Sequence, residues 1–265
     1  MKKIRLSKAS ISEAEKHAVM NTLNEEYLGM GVQVELFEKK IKEYISTDLE
    51  VVCVSSGTSA LHLALACLDI GKGDEVLVPS LTYVASFQAI SATGATPIPC
   101  EVNPNTLFID TVDAEKRITE KTKAIMPVHY ASSSKGMNRV YALAKDFGLR
   151  VIEDAAQAFG CKRSGEIIGS TGDIICFSFD GIKNITCGEG GAILSKDQQL
   201  IEKVKDSRLL GVQKDTEKRF LGLRSWDFDV AYQGWRYHMS NIMASIGLVQ
   251  LDRIKEFSYS RQKIV

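Results

Sequence analysis

Four short features of this 265-residue chain combine residue types that could do chemistry. The first is Ser55-Ser56-Gly57-Thr58-Ser59, which closes a β-branched run and opens the helical pattern GTSALHLALACLDI. Free N–H groups, a helix dipole and hydroxyls make an anion site, most naturally for phosphate. The same residues also serve as a plain N-cap. The second is Asp154, the last residue of RVIED (150–154). A carboxylate at a strand tip pairs with a cationic ligand atom, or caps a helix formed by the following AAQAFG. The third is Lys183 in SFDGIKNITCGEGG, a lysine on a glycine-flanked turn between two apolar runs. Most lysines are solvated surface charges. Burial here would instead depress the amine pKa and yield a neutral nucleophile. The fourth is Tyr83 in PSLTYVAS, which either stacks on a planar ring or packs in the core.

The elements that must position these features follow from the periodicity. Strand-like runs alternate with helical stretches: VVCVS (51–55), EVLVPS (75–80), TPIPCEV, KAIMPVHY (123–130), RVIED, DIICFSF (173–179) and GGAILS (190–195). Near-continuous apolar strands between helices predict an α/β fold, a mostly parallel sheet with helices on both faces. Ligands of such sheets bind beyond the carboxyl ends of the strands, where all four features fall. Upstream, Ser12 and Glu15 have capping-box spacing at the start of a helix, and Gly29 and Gly31 separate it from a second helix at 34–45. A polar helix is expected to end near Lys121, and another to span 197–210. Residues 211–237 read as a long loop or lid. From Ser240, apolar residues at helical steps (Ile242, Ile246, Val249, Leu251, Ile254, Phe257) predict one more helix.

Composition narrows the classes. The 33 basic and 33 acidic side chains cancel, which leaves no electrostatic footprint for nucleic acid or an anionic membrane. No apolar run approaches the ~18 residues of a membrane helix. MKKIRLSKAS has no apolar stretch behind its charges, so it is not a secretion signal. The six cysteines form no CxxC, and no His stands at zinc-ligand spacing from them, so no metal site is expected. They read as small buried hydrophobes in a reducing cytoplasm. Without GK[ST] or GxGxxG the chain is neither a Walker nucleotide binder nor a nicotinamide enzyme.

An anion cradle, a lysine, a carboxylate and a flat aromatic side chain are together what pyridoxal 5'-phosphate (PLP) requires of a protein. The phosphate needs the cradle and the aldehyde needs the amine. The pyridine nitrogen needs the carboxylate, so that the ring withdraws electrons.

Nearly the whole chain resembles the DegT/DnrJ/StrS family of PLP-dependent nucleotide-sugar aminotransferases, of fold type I. The motifs that carry this are GMGVQVELFEKKI, SSGTSALHLAL, GDEVLVPSLTYVAS, MPVHY, VIEDAAQAFG, FSFDGIKNITCGEGG and YHMSNIMASIGLVQL. The resemblance implies that Lys183 forms the Schiff base and then shuttles the proton. Asp154 would pair with the pyridine nitrogen, and Gln157 would lie near the ring hydroxyl. Gly57, Thr58 and Ser59 would hold the phosphate with Ser178, and Tyr83 would stack on the ring. Glu189, in the GEGG turn, reads as structural, and His62, His129 and Glu153 read as packing or supporting groups.

The implied reaction is ping-pong transfer of an amino group, usually from glutamate, to a keto carbon of a UDP-, dTDP- or GDP-linked sugar. Products of such reactions enter lipopolysaccharide, capsule, glycoprotein or antibiotic pathways. A homodimer with shared sites is implied too. Two departures stand out. Arg236 and His238, in QGWRYHMS, occupy the places of the family's Asn and Arg, and Arg236 is the candidate for the partner's phosphate. Family members also run further, so residues 1–239 are expected to form the large PLP-binding domain with its helical arm. Residues 240–265 would begin the helix that leads to a small C-terminal domain. The alternatives are a non-catalytic PLP-binding or regulatory fragment, and a sugar dehydratase that uses pyridoxamine phosphate. In the dehydratases the lysine is typically replaced by histidine.

Overall fold

The computed structural model describes residues 7–224 and 226–264; residues 1–6 and Val265, part of the terminal stretches read above, and Ser225, within the 211–237 stretch, lie outside the described residues. The N-terminal half comprises α1 (Glu13–Asn24), α2 (Val32–Ile45), β1 (Glu50–Val54), α3 (Gly57–Cys67), β2 (Glu75–Pro79), α4 (Val84–Ala92), β3 (Thr96–Cys100), α5 (Thr111–Lys116) and β4 (Thr122–Ile125). There follow α6 (Met137–Phe147), β5 (Arg150–Asp154), β6 (Lys162–Arg163), β7 (Glu166–Ile167), β8 (Ile174–Ser178) and β9 (Gly191–Ser195). The last elements are α7 (Gln198–Ser207), α8 (Asp215–Phe220), α9 (Asn241–Asp252) and α10 (Ile254–Gln262).

Seven strands form one sheet in the order β1-β9-β8-β5-β4-β2-β3. The β8-β5-β4-β2-β3 pairings are all parallel. Only β9 runs against its neighbours β1 and β8. The expected mostly parallel sheet is therefore present, with its helices on both faces. Val34, Phe37 and Ile41 of α2 pack with Ala244 and Leu251 of α9 on one side, over Phe177 and Leu194 of the sheet. Leu61, Leu65, Ile90, Ile201 and Val204 of α3, α4 and α7 cover Val52, Ile152 and Ile193 on the other. Burying both faces explains why the central strands read as unbroken apolar runs.

Several expectations are corrected. AAQAFG after Asp154 is a turn, not a helix, so Asp154 caps nothing. The polar helix expected to reach Lys121 stops at Lys116. Residues 211–237 contain the short helix α8, and the C-terminal helix is interrupted at Arg253. The β6-β7 hairpin went unpredicted, although its Ser164-Gly165 turn, with both φ angles positive, is a recognisable hairpin signal. Of the six free cysteines five are buried, whereas Cys161 is half-buried.

The capping box at Ser12 and Glu15 is present, and Glu15 does more than cap. Its carboxylate is buried and accepts hydrogen bonds from Gln250 Nε2 (2.7 Å) and Arg253 Nη1 (2.6 Å), which ties α1 to α9. Burial alone would raise this carboxyl. The hydrogen bonds from Ser12, Arg253 and Gln250 outweigh it and hold the group down at about 2. Because the folded value lies below the unfolded one, the stabilisation is complete above the ordinary 4.5 and is lost as pH falls toward about 2. Glu15→Gln is expected to lower stability by about 2 kcal/mol at pH 7. That deficit should shrink steadily below pH 4.5 in urea melts of both proteins.

Candidate active site

The carboxyl ends of β1, β5 and β8 and the start of β9 lie side by side, because Val54 and Ser178 both pair with Gly191 while Asp154 pairs with Cys176. A cavity of about 510 Å³ opens above them. Thr58, Tyr83, Asp154, Gln157, Ser178 and Lys183 all line it. The topology thus brings together residues that lie as far apart in sequence as Gly57, also in its wall, and Lys183.

The cradle depends on close backbone approach. A Cβ on Gly57 would lie 2.7 Å from Ser178 Cβ, and one on Gly191 only 2.4 Å from the Ser56 carbonyl oxygen. Glycine at both places lets the first turn of α3 sit directly on the ends of β8 and β9. Ser56 is the N-cap, and its Oγ accepts from the Ser59 N–H at 3.0 Å. Ser59 Oγ in turn accepts from the Ser56 N–H at 2.9 Å. The Ser59 side chain is therefore committed to a capping box, buried, and outside the cavity wall. Ser56 lines the cavity in its stead. The spacing of Ser56 and Ser59 was the signal for this division, the same signal that marked Ser12 and Glu15.

Asp154 is 6% exposed. Its Oδ2 accepts from Ser86 Oγ at 2.7 Å, and Ser86 Oγ is 2.7 Å from Thr82 Oγ1. Its Oδ1 accepts from the Ala156 N–H at 3.2 Å. Burial pushes the carboxyl above the usual carboxylate range, and these hydrogen bonds, with nearby His129 and Lys183, pull it back only in part. Behind it, the His129 N–H donates to the Asp154 carbonyl at 3.0 Å. His129 Nε2 lies 2.7 Å from Glu153 Oε2, and the Tyr141 hydroxyl donates to Glu153 Oε1 at 2.6 Å. Burial disfavours the Glu153 charge, but hydrogen bonds and charge from His129, Arg163 and Tyr141 prevail and keep its carboxyl low. His129 and Glu153 are supporting groups, as the sequence suggested, and neither lines the cavity.

Lys183 is half-buried rather than buried, so it is less desolvated than its apolar neighbours in sequence suggested. Its N–H donates to the Asp180 carbonyl at 3.1 Å, which closes the turn. Tyr83 is the N-cap of α4 and 72% exposed at the cavity mouth, which excludes the core-packing reading. Gln157 Oε1 accepts from the Ala131 N–H at 2.8 Å. Glu189 also reaches the cavity, exposed, so it is not simply a structural residue of the turn. Arg236 is exposed and does not line the cavity. Its strand-like segment lies beside the cradle all the same, since the Ser55 N–H donates to the Tyr237 carbonyl at 2.7 Å. Burial lowers the half-buried His238 to about 4, reinforced by Arg219, Arg236 and Arg208.

Comparison with known proteins agrees with this geometry. The model of the DegT/DnrJ/EryC1/StrS aminotransferase family matches residues 9–265. The chain is 42% identical over 229 residues to GDP-perosamine synthase of Caulobacter vibrioides, covering 86% of this chain and 59% of that protein. It is 37% identical to the spore coat polysaccharide biosynthesis protein SpsC of Bacillus subtilis, over 96% of this chain and 65% of that one. A putative sugar aminotransferase, Spr1654 of Streptococcus pneumoniae, superposes in its PMP-form with a TM-score of 0.90 at 34% identity, covering 99% of this chain and 70% of that one. The chain spans 59% to 70% of the length of the curated relatives it matches. The architecture is that of the fold type I large domain, and the cofactor indicated is PLP. A site of this kind on this sheet, with family motifs matching from residue 9 onward, places the chain in the DegT/DnrJ/EryC1/StrS aminotransferase family.

Proposed function

We propose that this chain forms the cofactor-binding part of an aminotransferase that moves an amino group from glutamate to a keto carbon of a nucleotide-linked sugar. The observation that carries the reading is a buried carboxylate, Asp154, and a lysine with no ion pair among the described residues, Lys183, in the wall of one cavity beside a helix start. The residues present fit PLP. The start of α3, which Gly57 lets sit directly against Ser178, suits a phosphate, which the α3 N–H groups would hold with Thr58, Ser56 and Ser178. A buried carboxyl raised by desolvation suits a cationic ring nitrogen, which would restore its charge. Bound PLP supplies a carbonyl carbon for amines and a ring that withdraws electrons.

The chain's own residues do the rest. Lys183 Nζ would hold the cofactor and, when free, would accept and return the substrate proton. Asp154 would hold the proton on the ring nitrogen, and Ser86 and the Ala156 N–H fix the carboxylate plane. Gln157, anchored by Ala131, lines the cavity and would serve the ring hydroxyl. Tyr83, at the cavity mouth, would stack on the ring.

A nucleotide-linked sugar is favoured by the GDP-perosamine named in one relative, and polysaccharide biosynthesis by the name of another. A homodimer belongs to the same reading. Leu221, Leu223 and Trp226 are exposed at 76%, 57% and 87%, apolar side chains that a second copy would cover. Arg236, with no ion pair among the described residues, would then serve the partner's phosphate. No described helix is long and apolar enough to cross a membrane, and the reading assigns the protein to the cytoplasm.

The test is to add PLP to the purified chain, reduce with borohydride and map the modified peptide. A tag on Lys183 supports the reading, and failure of PLP to bind overturns it. Glutamate should then convert the chromophore to the pyridoxamine form. Absence of that change would favour a non-catalytic PLP binder, and loss of water from the sugar without amination a dehydratase.

A further inference from the structure

Lys183 has a long flexible side chain, so its aim depends on what holds its backbone. The turn that carries it, residues 180–187, is fixed at its far end. There the Cys187 N–H donates to the Phe179 carbonyl at 2.8 Å, and the Thr186 N–H donates to Gln250 Oε1 at 3.3 Å. At the lysine itself the polar tie comes from the next residue. Asn184 Nδ2 donates to the Phe159 carbonyl at 2.8 Å and to the Gln157 carbonyl at 3.4 Å. Arg261 of α10 grips the same residue from outside, its Nη2 donating to the Asn184 carbonyl at 2.9 Å. The accepting carbonyls belong to the irregular turn after β5, which presents Gln157 to the cavity and continues directly from Asp154. Ser132 Oγ, which donates to the Gln157 carbonyl at 2.5 Å, and the Ala131 N–H hold that turn from the other side, whereas Asn184 ties it to the lysine turn.

We propose that Asn184 is a positioning residue for the active site. Its side-chain amide staples the lysine turn to the turn after β5, and so sets the distance between the Lys183 amine and the Asp154 and Gln157 side chains. It touches no reacting atom and is absent from the cavity wall. Its contribution is made through hydrogen-bond donation, not through volume. The role of Asn184 in catalysis rests on the aminotransferase reading above, whereas its role as a staple holds in the chain without cofactor.

Two variants separate donation from volume. Asn184→Asp keeps the shape but sets a carboxylate oxygen against two carbonyl oxygens; Asn184→Ala removes the side chain and leaves room for water. The staple predicts that Asp is the more damaging of the two. Hydrogen–deuterium exchange on the cofactor-free proteins should show faster exchange of both 155–161 and 180–188 in each variant, with the wild-type pattern kept in β2 and α3. Lys183 should be tagged with PLP and borohydride about tenfold more slowly in the Asp variant. Thermal melts identify any variant that fails to fold, and for such a variant Asn184→Ser, which retains a shorter donor, is measured instead and should fall between wild type and Ala. The proposal is overturned if the Asp variant behaves like wild type and only Ala is impaired, or if exchange rises in one segment alone. If wild-type chain takes up no PLP while the exchange result stands, the cofactor reading fails and the staple survives.

Discussion

Lys183→Ala is expected to reduce amino transfer by about 10⁴-fold or more, since it removes both the group that holds the cofactor and the proton carrier. The phosphate cradle is untouched by this change. Ser56, Gly57, Thr58 and Ser178 reach the cavity from α3 and β8, not from the lysine turn. The variant should therefore still take up PLP but lose it on dialysis, and borohydride should no longer fix it to the protein. Lys196→Ala, at an exposed position away from the cavity, is the control and should match wild type. A small added amine such as methylamine should restore part of the activity, because it replaces the missing base without restoring the tether. A Lys183→Ala protein that completes many turnovers unaided would refute the proposed chemistry.

The sheet was legible because its central strands are buried on both faces, and an apolar run such as IICFS survives any reading of register. The cradle, Asp154 and Lys183 were legible for a related reason. Each sits where a strong local pattern ends, at SSGTS, VIED and the glycine-flanked turn, and a parallel sheet gathers such ends on one edge. Two of the supporting groups, Ser86 and Tyr141, were not legible. Ser86 reaches Asp154 across 68 residues, and Tyr141 meets Glu153 from another element, so no local spacing reveals either. Ser59 is a different case. Its hydroxyl had two possible duties, and the structure shows it in the capping box. The burial of Lys183 was overstated because a turn with apolar neighbours in sequence need not be covered in space. The fate of AAQAFG turned on tertiary pairing too. The Ala155 N–H donates to the Cys176 carbonyl, which prolongs the pairing of β5 with β8 where a helix would have begun.

Asp154→Asn should separate stability from function with opposite signs. On the activity side, an amide cannot balance a cationic ring nitrogen, and removal of that preorganised charge is expected to cost about 10³-fold in amino transfer. On the stability side, the cofactor-free wild type holds a buried carboxyl whose folded-state pKa is raised above the ordinary 3.8 by desolvation. A raised acid stabilises the folded chain at low pH, where it is protonated, and that contribution is lost as pH rises through the folded-state value. Asparagine has no such titration, and the local hydrogen bonds can accept it. The amide oxygen takes the Ala156 N–H, the amide nitrogen donates to Ser86 Oγ, and Ser86 turns its own proton to Thr82 Oγ1 at 2.7 Å. The cofactor-free variant should therefore be more stable than wild type by about 1 kcal/mol at pH 7. The gap should close as the pH is lowered toward 4, and PLP should stabilise the wild type more than the variant. Urea melts of both proteins across this pH range, with and without PLP, decide the matter. A variant less stable than cofactor-free wild type at pH 7 would mean that the carboxylate is already compensated within the chain. Asp154 would then be an element of the fold rather than a charge held in reserve for a cation.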